Sequence, residues 1–244
     1  MEIVVYSTIN NFKRINQIFP DLRQLIFNFP FIDNQKAEEF IISPENSAAF
    51  NFVNSYSKEN PDTPKIFAIL GEKHSGKTHL AKIWQEKVEG KFLDVEGLEN
   101  TNLSDLTREN QAYIIEDINE IKNQKTLFHL FNFTLERNCH LLITSAIPFT
   151  AINYQFADLA SRLKNIFTLK IENPEIDLIK TILIKNFSLR QLLVDDQVID
   201  YIAKNIERSY EAIFEITKTL EFQCFEKKRT ITIPLVNEVL RNFF

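Results

Sequence analysis

The segment Gly71-Glu72-Lys73-His74-Ser75-Gly76-Lys77-Thr78 fits G-x-x-x-x-G-K-[ST] without a gap, and it constrains the fold more than any other stretch of this 244-residue chain. The chain has only four glycines, and two of them stand in this one loop. The backbone there must need what glycine supplies. A loop that wraps its N–H groups around phosphates needs φ > 0 and free space where a Cβ would stand. In such a loop the lysine reaches the β- and γ-phosphates and the hydroxyl after it holds Mg²⁺. Lys77 and Thr78 are placed for those roles, and ADP or ATP with Mg²⁺ is the expected cofactor.

The flanking residues agree. Lys65-Ile66-Phe67-Ala68-Ile69-Leu70 is a short apolar run after Pro64, the pattern of a strand buried in a parallel sheet. After Thr78, Leu80, Ile83, Trp84 and Val88 recur at helical spacing. Strand, loop, helix is the context that sets a phosphate on a helix N-terminus. Further strands are predicted at 91–95, 112–117, 140–145 and 166–171, with Leu127, Leu130, Phe131, Thr134 and Leu135 on one helix face between the third and fourth. Strands alternating with helices imply an α/β fold with a five-stranded parallel sheet flanked by helices. After Pro174 the pattern becomes all-helical, over 176–187, 195–205, 210–225 and a last helix entered through Ile231-Thr232-Ile233-Pro234, with Asp195 a candidate N-cap. Pro174 marks the boundary between an α/β domain and a helical lid.

Composition narrows the function. A net charge of −5 argues against an electropositive DNA-binding surface over the whole chain. At 44% apolar residues a sizeable core is available. Cys139 and Cys224 lie far apart and form no metal or redox motif, so both read as reduced thiols. No run reaches membrane-spanning length, and Met1-Glu2-Ile3-Val4-Val5-Tyr6 is too short and too uncharged for a signal peptide. A cytoplasmic protein is expected.

The third predicted strand ends in Glu116-Asp117. In P-loop ATPases an apolar strand delivers acids to the phosphate end of the sheet, one for the metal and one for the attacking water. Glu116 is the expected Mg²⁺ partner and Asp117 the water-orienting acid, and the two form the catalytic pair. Thr144-Ser145 closes the fourth strand, where a hydroxyl can sense the γ-phosphate. A plain strand terminus is the other reading of that pair.

These features in this order, followed by a helical lid, resemble the AAA+ superfamily and, within it, the DnaA-like family that contains both the replication initiators and the shorter Hda-type regulators. The resemblance rests on Gly-Lys-Thr-His-Leu at 76–80, Leu-Leu-Ile-Thr-Ser at 141–145, Asp-Leu-Ala-Ser-Arg-Leu at 158–163, Ile-Ala-Lys-Asn-Ile at 202–206 with Arg208 after it, and Thr-Ile-Pro-Leu-Val at 232–236. It covers roughly residues 22–244. It implies an AAA+ P-loop module over 35–173 and an all-α lid over 174–244. The nucleotide-binding set it implies is Gly71, Ser75, Gly76, Lys77, Thr78, His79, Thr144, Ser145 and Arg208. Arg208 matches the sensor 2 arginine. Arg162 matches the arginine finger, which acts on ATP held by a neighbouring subunit; an ordinary surface ion pair with Asp158 is the alternative. Apart from the place of His79 in that set, the four histidines (His74, His79, His129 and His140) read as solvent or packing residues.

The resemblance also speaks to partners. Gln24-Leu25-Ile26-Phe27-Asn28-Phe29 is similar to the Q-L-x-L-x-L peptide by which Hda-type proteins dock on the DNA polymerase III sliding clamp, with Gln24, Leu25, Phe27 and Phe29 as its contacts. Alternate apolar side chains of an extended segment would enter a cleft while the glutamine binds at the rim. An alternating edge strand or a packed arm is the competing reading. That segment spans 22–34, after an extension of unknown role over 1–21. The chain stops at Phe244, where the lid would end, so the duplex-reading domain of the initiators is expected to be absent, and contact with DNA to be indirect, through the clamp. DnaA typically carries Asp-Asp where this chain has Glu116-Asp117, and the longer side chain moves the metal ligand outward by about one C–C bond. Residue 146 is Ala where relatives often carry charge. Both departures imply weak or no ATPase of the chain's own. The expected role is a nucleotide-bound regulator, with monomer and homo-oligomer both open, that activates DnaA's ATPase in trans and so represses initiation. A helicase-loading ATPase and a DNA-site adaptor are the rival readings.

Overall fold

Apolar runs become the centre of the sheet, and runs with polar residues become its edges. The computed structural model describes residues 39–94 and 111–243. Gln24, Leu25, Phe27 and Phe29, with the rest of 1–38, lie outside the described residues, as do 95–110 and 244. The strands are β1 (Ile66–Leu70), β2 (Lys91–Phe92), β3 (Ala112–Ile115), β4 (His140–Ser145) and β5 (Phe167–Lys170), in the order β2-β3-β4-β1-β5. All four pairings are parallel. Every residue of β3 and β4 is buried, whereas β2 is exposed and β5 buries only Leu169. Four strands are shorter than predicted, β1 by one residue at its start, β5 by one at each end, and β2 and β3 by more at the C-terminal end. β2 ends at Phe92, although the Leu93 N–H still donates to the Ile114 carbonyl at 2.9 Å. β3 ends before Glu116-Asp117 because Asp117 takes φ +43°, which no ladder accommodates.

Side chains alternate across the sheet, and each face has its own cover. Phe67 and Ile69 of β1, Ile114 of β3 and Leu142 of β4 pack under α1 (Ser47–Ser55) and α2 (Lys77–Val88). Tyr56, Phe67 and Trp84 meet there with ring centroids 5.3–5.4 Å apart. Ala68, Tyr113, Ile115, Leu141 and Ile143 pack under α3 (Gln124–Glu136) and α4 (Ala157–Lys164).

The lid follows Pro174 as α5 (Ile176–Leu189), α6 (Asp196–Asn205), α7 (Tyr210–Lys227) and α8 (Ile233–Phe243), with a core of its own. It also leans on the α/β core, because Leu178 and Tyr210 are buried there and Ile182 packs against both clusters. Asp195 occupies the N-cap of α6 but makes no capping bond through its side chain. The side-chain caps belong instead to Asn123 on α3 and Ser209 on α7, each accepting from the backbone N–H three residues on. Pro234 sits in the first turn of α8, where its missing N–H costs nothing. No helix among the described residues is long and apolar enough to cross a membrane.

Candidate nucleotide site

The parallel ladder brings the chemistry together. Leu70 pairs with Ser145 and Ile115 with Ile143, so the ends of β1, β3 and β4 lie side by side. The Gly71 N–H donates to the Ser145 carbonyl at 3.2 Å, and the Asp117 N–H to the Thr144 hydroxyl at 2.9 Å. Ligands bind at such carboxyl ends in open parallel sheets.

The two loop glycines serve different needs. Gly76 is the N-cap of α2 with φ +95°, and a Cβ there would stand 3.1 Å from the Phe40 ring. Gly71 has no such backbone requirement. A Cβ there would stand 2.6 Å from the Ser75 hydroxyl and 3.0 Å from Ile171 Cβ, so it is space that is required. The second left-handed residue of the loop is His74, with φ +64°. Left-handed backbone at a residue bearing a Cβ is strained by about 1–2 kcal/mol. The His74 ring stacks on Phe214 of α7, with centroids 3.9 Å apart and planes 6° from parallel.

Lys77 is buried and donates to the Glu72 carbonyl at 2.9 Å, with Asp117 Oδ1 3.9 Å away. Burial lowers its pKa, and the Asp117, Glu116 and Glu120 carboxylates oppose that shift. The Ser75 hydroxyl is buried with no partner among the described residues, and the first-turn N–H groups of α2 have no acceptor within the helix. An orphan hydroxyl, helix N–H groups and a buried ammonium fit a bound phosphate. Thr78 lines the same cleft of about 570 Å³, as do His79 and Asp117. Glu116 faces an adjoining depression with Asp94, Asp117 and Glu120, and its Oε1 is buried without a partner among the described residues. Among the described residues no three His, Cys, Asp or Glu side chains are grouped to hold a metal. A Mg²⁺ ion here would depend on Thr78, one acid and the phosphates themselves.

Four expected nucleotide contacts lie off the cleft's lining, Gly71 at the start of the loop among them. Thr144 is fully buried, and its hydroxyl holds the Asp117 backbone. Ser145, also fully buried, bonds Asn119 Oδ1 at 3.1 Å and the Ile147 carbonyl at 2.7 Å. Arg208 pairs with Glu175 at 2.6 Å and stays more than half exposed. Arg162, in the last turn of α4, pairs with Asp158 at 2.9 Å, is about one-third exposed, and also lies off this cleft.

Sequence reasoning named Arg208 of the lid but missed the lid residues that meet the loop. Tyr210 donates its N–H to Glu72 Oε2 at 3.2 Å and its hydroxyl to the Glu172 carbonyl at 3.2 Å. With the His74–Phe214 stack, these contacts tie α7 to the phosphate loop. Phe40, Asn46, Ile182 and Asn186 complete the walls. The one available signal was Tyr210 and Phe214, one turn apart on a helix face, and it is faint in a chain with 22 phenylalanines. Of the histidines, His140 is a buried packing residue, whereas His74 and His79 line the cleft.

The family profile described as Hda, lid domain matches residues 179–240. The replication initiator DnaA of Treponema denticola is 25% identical over 249 residues, covering 92% of this chain and 50% of that protein. The chain is thus similar to DnaA along most of its length and to Hda in its lid. It spans half or less of the length of the curated DnaA relatives it matches. The fold agrees: domain III of Thermotoga maritima DnaA superposes with a TM-score of 0.68 at 18% identity, covering 86% of this chain and 97% of that one. AMPPCP-bound DnaA from Aquifex aeolicus superposes with a TM-score of 0.57 at 19% identity, covering 80% and 67%.

Proposed function

We propose that this DnaA-like chain holds ADP or ATP with Mg²⁺ in the cleft at Gly71–Thr78 and regulates replication by presenting Arg162 to ATP bound on the initiator DnaA. The observation that carries this reading is the position of Arg162. It lies off its own chain's cleft on a short surface helix, where Asp158 across one turn is its one ion-pair partner among the described residues. An exposed pair of this kind is worth about 0–1 kcal/mol, so little holds the guanidinium back from a stronger anion. Its planar fork suits a phosphoryl group, and an arginine supplied in trans accelerates hydrolysis by about 10³–10⁵. The match of residues 179–240 to the Hda lid favours a regulator over a loader. AMPPCP bound to a DnaA of the same fold supports an adenine nucleotide. In this reading Gln24, Leu25, Phe27 and Phe29 dock the chain on the sliding clamp, bring it indirectly to DNA, and place it beside DnaA in the cytoplasm.

The test is DnaA–ATP hydrolysis with clamp-loaded DNA. Adding the wild-type chain should raise turnover, and Arg162→Ala should abolish the gain while leaving nucleotide binding intact. Gln24→Ala with Phe29→Ala should lose co-elution with the clamp. Equal stimulation by Arg162→Ala would remove the finger assignment, and normal co-elution of the double variant would remove the docking segment.

A further inference from the structure

The cleft has two chemically different linings. The loop supplies N–H groups, hydroxyls and Lys77. The other lining is apolar, with Phe40 and Ile41 ahead of α1 and Ile182, Ile213 and Phe214 from the lid. Such walls accept a flat heteroaromatic ring by contact and stacking. They do not tell one ring from another, because discrimination comes from polar groups that are left unpaired by the wrong ligand.

The polar groups on this lining are nearly all committed. Asn46 is held at both ends within the protein, since Oδ1 accepts from the Ser43 N–H and Nδ2 donates to the Ile41 carbonyl, both at 2.9 Å. The Tyr210 hydroxyl is taken by the Glu172 carbonyl, and the Lys185 ammonium donates to the Glu39 carbonyl. Asn186 differs. It lines the cleft from α5 and is half-buried. Its backbone carbonyl is occupied by the Arg190 guanidinium at 3.0 Å, but its carboxamide makes no hydrogen bond among the described residues. It is a neutral donor–acceptor pair with free capacity at the apolar end of a phosphate site.

We propose that the Asn186 carboxamide is the base-reading group of this cleft and selects adenine by its N6/N7 edge, accepting from the 6-amino group and donating to N7. The proposal rests on the reading of the cleft as a nucleotide site. The chemistry is specific to that edge. Adenine presents a donor beside an acceptor there, which one carboxamide satisfies in full. A 6-oxo purine presents two acceptors, so either orientation of the amide leaves one acceptor facing another. The free amide and the apolar walls are complementary: the walls hold any purine, and Asn186 chooses among them.

The experiment is calorimetric titration of the whole chain, with Mg²⁺, using ADP, inosine diphosphate and 7-deaza-ADP. The wild type should bind ADP about tenfold more tightly than either analogue, the discrimination one bidentate amide pair provides. Asn186→Ala should bind all three alike, at the wild-type affinity for the analogues. Asn186→Asp, which accepts but does not donate, should bind 7-deaza-ADP as well as ADP. Because the amide has no partner within the protein, neither variant removes a bond that supports the fold, and an unchanged melting temperature should accompany both. Equal binding of the three ligands by the wild type would overturn the inference while leaving the nucleotide site standing, as would a preference for ADP that survives in Asn186→Ala. Binding of none of the three by the wild type would overturn the nucleotide reading itself, and the inference with it.

Discussion

Lowering the pH should destabilise the fold through one buried ring, His140. It opens β4, is 3% exposed, and sets Nδ1 2.7 Å from the Tyr56 hydroxyl, which lies 3.2 Å from the Pro64 carbonyl. One neutral arrangement satisfies both contacts: Nδ1–H donates to the tyrosine oxygen, and the hydroxyl donates onward to the carbonyl. Burial lowers the imidazole pKa to about 4, with the Lys65 and Lys58 charges adding to the effect. The folded value is below the ordinary 6.5, so between the two the unfolded chain takes up a proton that the folded chain refuses. The stabilisation is therefore complete above about pH 6.5 and is lost as the pH falls towards 4. At about 1.4 kcal/mol for each pH unit between the two values, the whole span is worth about 3 kcal/mol, and about 2 kcal/mol is gone at pH 5. Urea unfolding near pH 7.5 and near pH 5 measures it. His140→Asn keeps a side-chain N–H for Tyr56 but does not titrate, so it should lose about 2 kcal/mol less than the wild type between those conditions. The His140 ring protons should also hold their shifts down to about pH 4.5. An equal loss in the two proteins, or a ring titrating near 6.5, would refute the reasoning.

Two further outcomes follow from local geometry. Gly76→Ala places a Cβ against Phe40 at φ +95°, so it should lower stability by about 1–2 kcal/mol in thermal unfolding and weaken phosphate binding, whereas a surface alanine substitution should do neither. Arg190→Ala removes a largely buried charge-assisted bond to Glu221 at 2.9 Å that joins α5 to α7, and it should cost about 1.5–3 kcal/mol by urea unfolding, a loss that 1 M salt should not reproduce in the wild type.

Periodicity made the layers legible. Continuous apolar runs at 66–70, 112–115 and 141–143 foretold strands covered on both faces, and helical spacing after Pro174 foretold the lid. The loop was legible because its chemistry is local. Asp158 and Arg162 were legible as neighbours because four residues on a helix is one turn. Other features were not, for physical reasons. The left-handed residues beyond Gly76 carry side chains, and the enrichment of His and Asp at φ > 0 is too weak to single out His74 or Asp117. α1 is nine residues of weakly patterned sequence, and the predicted third strand ran two residues too far because the turn at Asp117 depends on Thr144, a residue 27 positions away.

The junction of loop and lid was the least legible part and is the most informative about mechanism. Glu72 serves both sides of it. Its carbonyl accepts the Lys77 ammonium, and its carboxylate accepts the first N–H of α7. Two residues on, His74 stacks against the same helix. A phosphate that draws Lys77 to itself takes the donor from the Glu72 carbonyl, at the residue that anchors the lid. The loop and α7 therefore share Glu72, whose carbonyl serves the lysine and whose carboxylate serves the lid. No periodicity could reveal such coupling, because the partners are 138 residues apart in the chain and meet only when both cores have formed.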